Sequence, residues 1–320
     1  FAVIEIGMNR PGEIAPLARL ARPHVAIVTT VAPAHLEAFG MIEGIAHEKA
    51  AIFDGLEPAG IALAHADIET APILFDKARD MGARLIRFGT TPGVEARMIE
   101  AQVADAATVI RADVCGTERL FRIAAPGRHY AMNALIALSA AEAAGADATQ
   151  AALALSGWTP FEGRGTREQI VLSVTDDLTV EMIDDAFNAN PASVAAALEV
   201  LARSTPVGRG RRIAILGDML ELGDTGPALH AAIADLAALD RIDLVHTVGP
   251  LMRHLSEALP PRKRGRHCDS AEDLAAGLPQ SLRAGDVLLI KGSKGIKVSR
   301  VVDALRKLGQ AAVDHRRGPR

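Results

Sequence analysis

With 320 residues, 49% of them hydrophobic but only 3% aromatic, the chain can fill more than one core, built chiefly from Ala, Val, Ile and Leu. A net charge of −4 excludes a bulk electrostatic drive toward nucleic acid or anionic membrane. Two cysteines, Cys115 and Cys268, exclude a disulfide framework, and with no signal peptide and no apolar run of about 18 residues the expectation is a soluble cytoplasmic α/β protein.

In chain order, Phe1 to Ile6 reads as a buried strand interrupted by one carboxylate, Glu5, just before a turn at Gly7. Further strands are expected at 25–31, 60–64 and 84–88, and the segment from about 97 to 124 alternates like antiparallel strands. A helix follows from about 129 through LIALSAAEAA. The stretch GWTPFEGRG (157–165) reads as a linker, dividing the chain into domains at 1–160 and 161–320. Beyond it the pattern restarts. TVEMI (179–183) is a strand, and Asn190 with Pro191 forms the N-cap and first position of a helix. Strands are then expected at 212–217, 244–249 and 286–293, with helices at 226–239 and about 297–308. Such alternation implies a doubly wound, Rossmann-like parallel sheet. No G-x-G-x-x-G follows a strand, which speaks against a dinucleotide cofactor and against a two-domain dehydrogenase. Basic clusters at 209–212, 260–267 and 314–320 lack interleaved aromatics and read as solvated loops and tail.

Ligands of open α/β sheets gather beyond the carboxyl ends of the strands. Glu5 and His35 both fall at such ends. Lys49 lies on the apolar stripe of its helix with Ile42, Ile45, Ala46, Ile52, Phe53 and Leu56, where an ammonium must snorkel, lose its charge or find a partner. Together the three suggest a polyanion-and-metal site, while His35 reads equally well as a loop histidine bonded to backbone. Asp184, Asp185, Asp218, Glu221, Lys291 and Ser293 occupy carboxyl-end positions of the second half, where Asp and Ser also commonly cap turns.

The motifs EIGMN, APAHLEAFG, KAAIF, PGRHYAMNALIALSAA, EGR, IDDAFNANP, LGDMLELG and IKGS occur in the order expected of a Mur ligase, and the chain resembles that family over nearly its whole length. DDAFNANP and GDMLELG together favour the members that add D-Ala-D-Ala to UDP-N-acetylmuramoyl-tripeptide in peptidoglycan synthesis. The resemblance implies a central ATPase domain followed by a Rossmann-like C-terminal domain, with ATP and Mg²⁺ as cofactors and an acyl phosphate as intermediate. It implies Glu5, His35 and Lys49 as metal ligands, Lys49 being carbamylated. It further implies Asn133 on the adenine side, Arg164 at the γ-phosphate, Asp185 on the ribose, and Lys291 and Ser293 on the dipeptide carboxylate. A cytoplasmic monomer with no nucleic-acid partner and no membrane insertion is expected.

Two departures stand out: Tyr130 replaces a frequent Asn, and Ala186-Phe187 replace Ser-Tyr. The family's phosphate-cradling G-x-x-G-K-[ST] should precede Glu5, yet no G-K-[ST] occurs in these residues, so the chain alone is expected to lack turnover. Two alternatives stay open: another Mur-type amide ligase such as a folylpolyglutamate synthetase, and a non-catalytic binding module.

Overall fold

The computed structural model describes residues 1–33, 36–173 and 175–317, the side chains of 312–317 excepted. Two compact units divide at Thr159/Pro160.

The first unit, Phe1–Thr159, runs α1 (Ile14–Ala21), β1 (Val25–Val28), α2 (Leu36–Phe39), α3 (Ile42–Ala50), β2 (Ile61–His65), α4 (Ala71–Asp80), β3 (Arg84–Gly89), β4 (Ala96–Val103), β5 (Thr108–Val114), β6 (Thr117–Ile123), α5 (Arg128–Ala143) and α6 (Ala148–Ser156). Its sheet has the order β1-β2-β3-β4-β5-β6, parallel as far as β4 and antiparallel from there. The strand β2 reads IALAH because both its faces are covered. Leu63 joins Phe88, Ile110 and Leu135 of α5 on one face, and Ala62 and Ala64 join Ile45 and Phe53 on the other.

Residues 1–8 are in no strand, which corrects the expectation for Phe1 to Ile6. An extended segment is a strand only when a neighbour takes its N–H and C=O groups. Among the described residues β1 pairs with β2 alone, so Phe1, Val3 and Ile4 stay exposed.

The second unit, Pro160–Arg320, runs β7 (Thr166–Ser173), β8 (Leu178–Asp185), α7 (Pro191–Arg203), β9 (Arg212–Gly217), α8 (Gly226–Ala231), β10 (Leu244–Val248), α9 (Met252–Ala258), β11 (Arg264–Cys268), α10 (Ala271–Gly277), β12 (Val287–Lys291) and α11 (Ser299–Arg317). The sheet order is β11-β10-β9-β12-β8-β7, all parallel except the β7–β8 pair. Asn190 caps α7 through a reciprocal box with Ser193, and Pro191 occupies the first turn, as expected.

Two features of this unit differ from expectation. The helix foreseen at 226–239 ends at Ala231 and continues as 3₁₀ turns around an extended Leu236. Ile233 and Leu239 are both buried, and their six-residue spacing does not put them on one face of a continuous helix. Part of the basic run 260–267 is not a solvated loop. Arg264–Cys268 forms the edge strand β11, and the buried Lys263 ammonium donates to the carbonyls of Leu239 and Ile242.

In the first unit, Asp67 follows β2 and accepts from the backbone N–H and hydroxyl of both Thr90 and Thr91, at 2.5–3.1 Å. Burial works to raise its pKa, but these four bonds outweigh burial and hold it at about 2. A depressed folded pKa stabilises the fold above the ordinary value of 3.8, and that contribution disappears as pH falls toward 2. Thermal midpoints should therefore drop between about pH 4 and 2 more steeply for the wild type than for Asp67→Asn, which should already be lower at pH 7. Parallel midpoint–pH curves would contradict this.

Candidate active site

In the second unit the carboxyl ends of β8, β9 and β12 are tied together by side chains that the sequence marks as chemical. Lys291 closes β12 directly opposite Asp185 on β8. It is 3% exposed, with its ammonium 2.8 Å from Asp185 Oδ2 and donating to the Asn188 carbonyl at 2.9 Å. Burial raises the Asp185 pKa, and Lys291 and Arg164 pull it back toward the charged form. Ser293, 4% exposed, accepts from Leu220 N–H at 2.9 Å and donates to the Ala189 carbonyl at 3.3 Å. Its own N–H donates to the Asp218 carbonyl at 3.0 Å. Three loops, those of NANP, GDMLEL and IKGSK, are thus fastened to one another.

Close approach makes this possible. A Cβ on Gly217 would lie 2.5 Å from Val298, and one on Gly292 would lie 3.0 Å from Gly217 itself. Asp218 is committed elsewhere, since its carboxylate accepts from the N–H groups of Leu251 and Met252 at the start of α9. The sequence-level alternative, a capping Asp, describes it. Glu221 is exposed with φ 65°.

Arg164 lies on the segment entering β7. Gly165 N–H donates to the Asp184 carbonyl at 2.7 Å, and Phe187 N–H donates to the Gly163 carbonyl at 3.0 Å, so this segment pairs with the turn after β8. The Arg164 guanidinium sits over the Phe187 ring at 4.2 Å, with Lys294 at 5.7 Å from the same ring. Stacking of this kind needs a ring and no hydroxyl, which Phe supplies at 187. Sequence reasoning singles out Phe187 only as a departure from the family pattern, and it misses Asn188 and Lys294 as members of this cluster; the position of Lys294 just after IKGS is the one signal for that lysine.

In the first unit Lys49 is half-buried on α3, in line with the buried Ile45, Ala46 and Phe53. Burial, with no offsetting charge among the described residues, pulls its amine pKa below that of an ordinary lysine. Glu48 beside it accepts from Gly12 and Ile14 N–H at 2.7 and 2.8 Å, fixing the start of α1 against α3. Asn133 is exposed on α5, and Tyr130, one turn earlier, packs on His129 and Trp158 at ring distances of 3.9 and 5.5 Å. Glu5 is exposed in the irregular segment 1–8, which corrects its placement in a buried strand. His35 lies outside the described residues.

Among the described residues no three His, Cys, Asp or Glu side chains are placed to hold a metal ion. An exposed Glu5 carboxylate and an unmodified Lys49 amine do not make a magnesium site by themselves, since a cationic amine repels Mg²⁺, whereas a carbamate on Lys49 would offer it oxygens. Nor is any described helix long and apolar enough to cross a membrane.

Known proteins place this architecture. The family model of the Mur ligase middle domain matches residues 1–141, and that of the Mur ligase glutamate ligase domain matches 167–294. The UDP-N-acetylmuramoyl-tripeptide–D-alanyl-D-alanine ligase of Bacillus subtilis (strain 168) is 31% identical over 308 residues, 95% of this chain and 64% of the relative. The ligase of the same name from Escherichia coli (strain K12) is 33% identical over 323 residues, 97% of this chain and 66% of the relative. A crystal structure of MurF from Acinetobacter baumannii superposes with a TM-score of 0.83 at 24% identity, over 95% of this chain and 64% of that one. The MurF ligase of Thermotoga maritima, solved in complex with ADP, does so with a TM-score of 0.78 at 23% identity, over 95% and 66%. The chain thus spans about two thirds of the length of these relatives, and by its two matched domains it belongs to the Mur ligase family.

Proposed function

We propose that this chain carries the central and C-terminal parts of an ATP-dependent amide ligase that adds D-Ala-D-Ala to UDP-N-acetylmuramoyl-tripeptide. The observation that carries the reading is the 31% identity to a ligase of that name along 95% of the chain. The first bond made is between the peptide carboxylate oxygen and the ATP γ-phosphorus, and ADP leaves as the β–γ phosphate bond breaks. The dipeptide amine then attacks the acyl carbon. The tetrahedral intermediate expels phosphate, and the nitrogen gives up its proton.

The residues take the following parts. Arg164, whose guanidinium lies over an exposed ring at 4.2 Å, meets the charge on the transferring phosphoryl group. Asp185 accepts from the ribose hydroxyls, and Asn133 serves the adenine. The Lys291 ammonium has three N–H donors, two of them engaged by Asp185 and Asn188, so the third is left for the dipeptide carboxylate. Ser293 fixes the loop on which that carboxylate rests. Burial shifts Lys49 toward its neutral amine, the form whose nitrogen can bond to CO₂ and, on releasing a proton to water, become a carbamate anion. Glu5, His35 and the carbamylated Lys49 are the proposed magnesium ligands.

The reading is tested by phosphate release and product mass with ATP, Mg²⁺, UDP-N-acetylmuramoyl-tripeptide and D-Ala-D-Ala, on this chain beside an upstream-extended version. Product in the extended protein is expected; no product in either would overturn the reading. Lys49→Ala in that protein should abolish turnover, while Lys49→Met, melted without Mg²⁺ or CO₂, should unfold no lower than wild type, because the unmodified amine has no charged partner among the described residues. Wild-type phosphate release from Lys49→Ala would contradict the first half, and a large loss of melting temperature the second. Arg164→Ala should lower kcat about a hundredfold with ATP affinity little changed. Weaker ATP binding at unchanged kcat would remove Arg164 from the chemical step.

A further inference from the structure

Arg306, on α11, belongs to no motif and takes no part in the chemistry above, yet it holds carboxylates from three separate segments. Its Nε donates to Glu168 Oε2 at 3.0 Å, and its Nη2 donates to the other Glu168 oxygen and to Asp184 Oδ2, the latter at 3.1 Å. Its Nη1 donates to Glu162 Oε1 at 2.6 Å. Glu162 stands two residues before Arg164, Glu168 on β7, and Asp184 immediately before Asp185.

Asp184 is 3% exposed. Burial raises its pKa, Glu168 and Glu162 push it the same way, and Arg306 is the cation that opposes them. Ionised, Asp184 accepts from Ala186 N–H at 3.2 Å and so shapes the turn that carries Asp185 and Phe187. That turn pairs with the Arg164 segment through the Gly165 and Phe187 amides. Without the guanidinium, three carboxylates would face one another at this junction. A lysine cannot replace the fork, since one ammonium lacks the planar geometry that serves both Glu168 oxygens and two further partners.

We infer that Arg306 is a positioning residue for the proposed reaction, holding the Arg164 segment and the Asp185 turn in register through Glu162, Glu168 and Asp184. This rests on the ligase reading for its catalytic consequence, whereas its structural half can be tested on this chain alone.

Amide hydrogen exchange on Arg306→Gln should quicken about tenfold or more at Gly165 and Phe187, with β9 and β10 amides unchanged. Arg306→Lys should recover only part of that protection. In the upstream-extended protein both variants should lower kcat about tenfold, with the dipeptide KM within about threefold. Wild-type exchange at both amides in Arg306→Gln would overturn the inference, and so would loosened amides with unchanged kcat. If Arg306→Gln instead quickens exchange throughout β9 and β10, Glu162→Gln decides. It removes only an exposed bridge, and faster exchange at Gly165 supports the inference while no change overturns it. If the wild type lacks ligase turnover, the ligase reading falls, and exchange at Gly165 and Phe187 alone decides whether Arg306 orders the junction.

Discussion

A lysine side chain that is 3% exposed needs neighbours that replace water around its nitrogen, and the neighbours of Lys291 define the edge of the second sheet. Asp185 lies opposite it in register, and the Asn188 carbonyl turns back to meet it. That return sets the chain for Asn190 to cap α7. Two residues past Lys291, Ser293 reaches both the NANP loop and the loop after β9. Removing Asp185 would leave a buried ammonium, and removing Lys291 a half-buried carboxylate, beside loops whose positions depend on the pair. The pair is therefore both a structural fastening and the seat of two proposed ligand contacts, which is why the polar groups gather there and not along the rest of the sheet.

The first unit shows the opposite arrangement. Lys49 is a cation pulled toward neutrality by burial, while Asp67, after β2, is a carboxylate held ionised by four donors. One group is poised to change its chemical form, and the other is fixed in the form it has. In the Mur ligase reading only the first is chemical, and Asp67 serves the geometry of the turn after β3.

Strand–helix alternation, the Asn190–Pro191 cap and the grouping of Asp185, Lys291 and Ser293 at strand ends are all legible in the sequence, because each depends on local pattern. Contacts between distant segments are not. The Lys291–Asn188 and Arg306–Glu168 bonds join residues more than a hundred positions apart, and no periodicity marks them. The strand β11, RGRHC, has almost no apolar signal, since an edge strand with one neighbour needs little, and as sequence it reads as a solvated loop. The strand β7, half-exposed along most of its length, escapes sequence reading for a similar reason. The reverse error occurs at Phe1–Ile6, where an apolar run looks like a strand but has no ladder partner among the described residues. Lys49 stands out because a charge on an apolar stripe is a local contradiction, visible without any structure.

The central physical claim is the coupling of Lys291 to Asp185, and urea unfolding of Lys291→Met, Asp185→Asn and the double variant measures it directly. Lys291→Met should cost about 3 kcal/mol by taking from the half-buried Asp185 carboxylate the cation that lies against it, and adding Asp185→Asn should return at least about 1 kcal/mol of that loss. Losses that add within about 0.3 kcal/mol would show that the two residues act independently and would contradict the account.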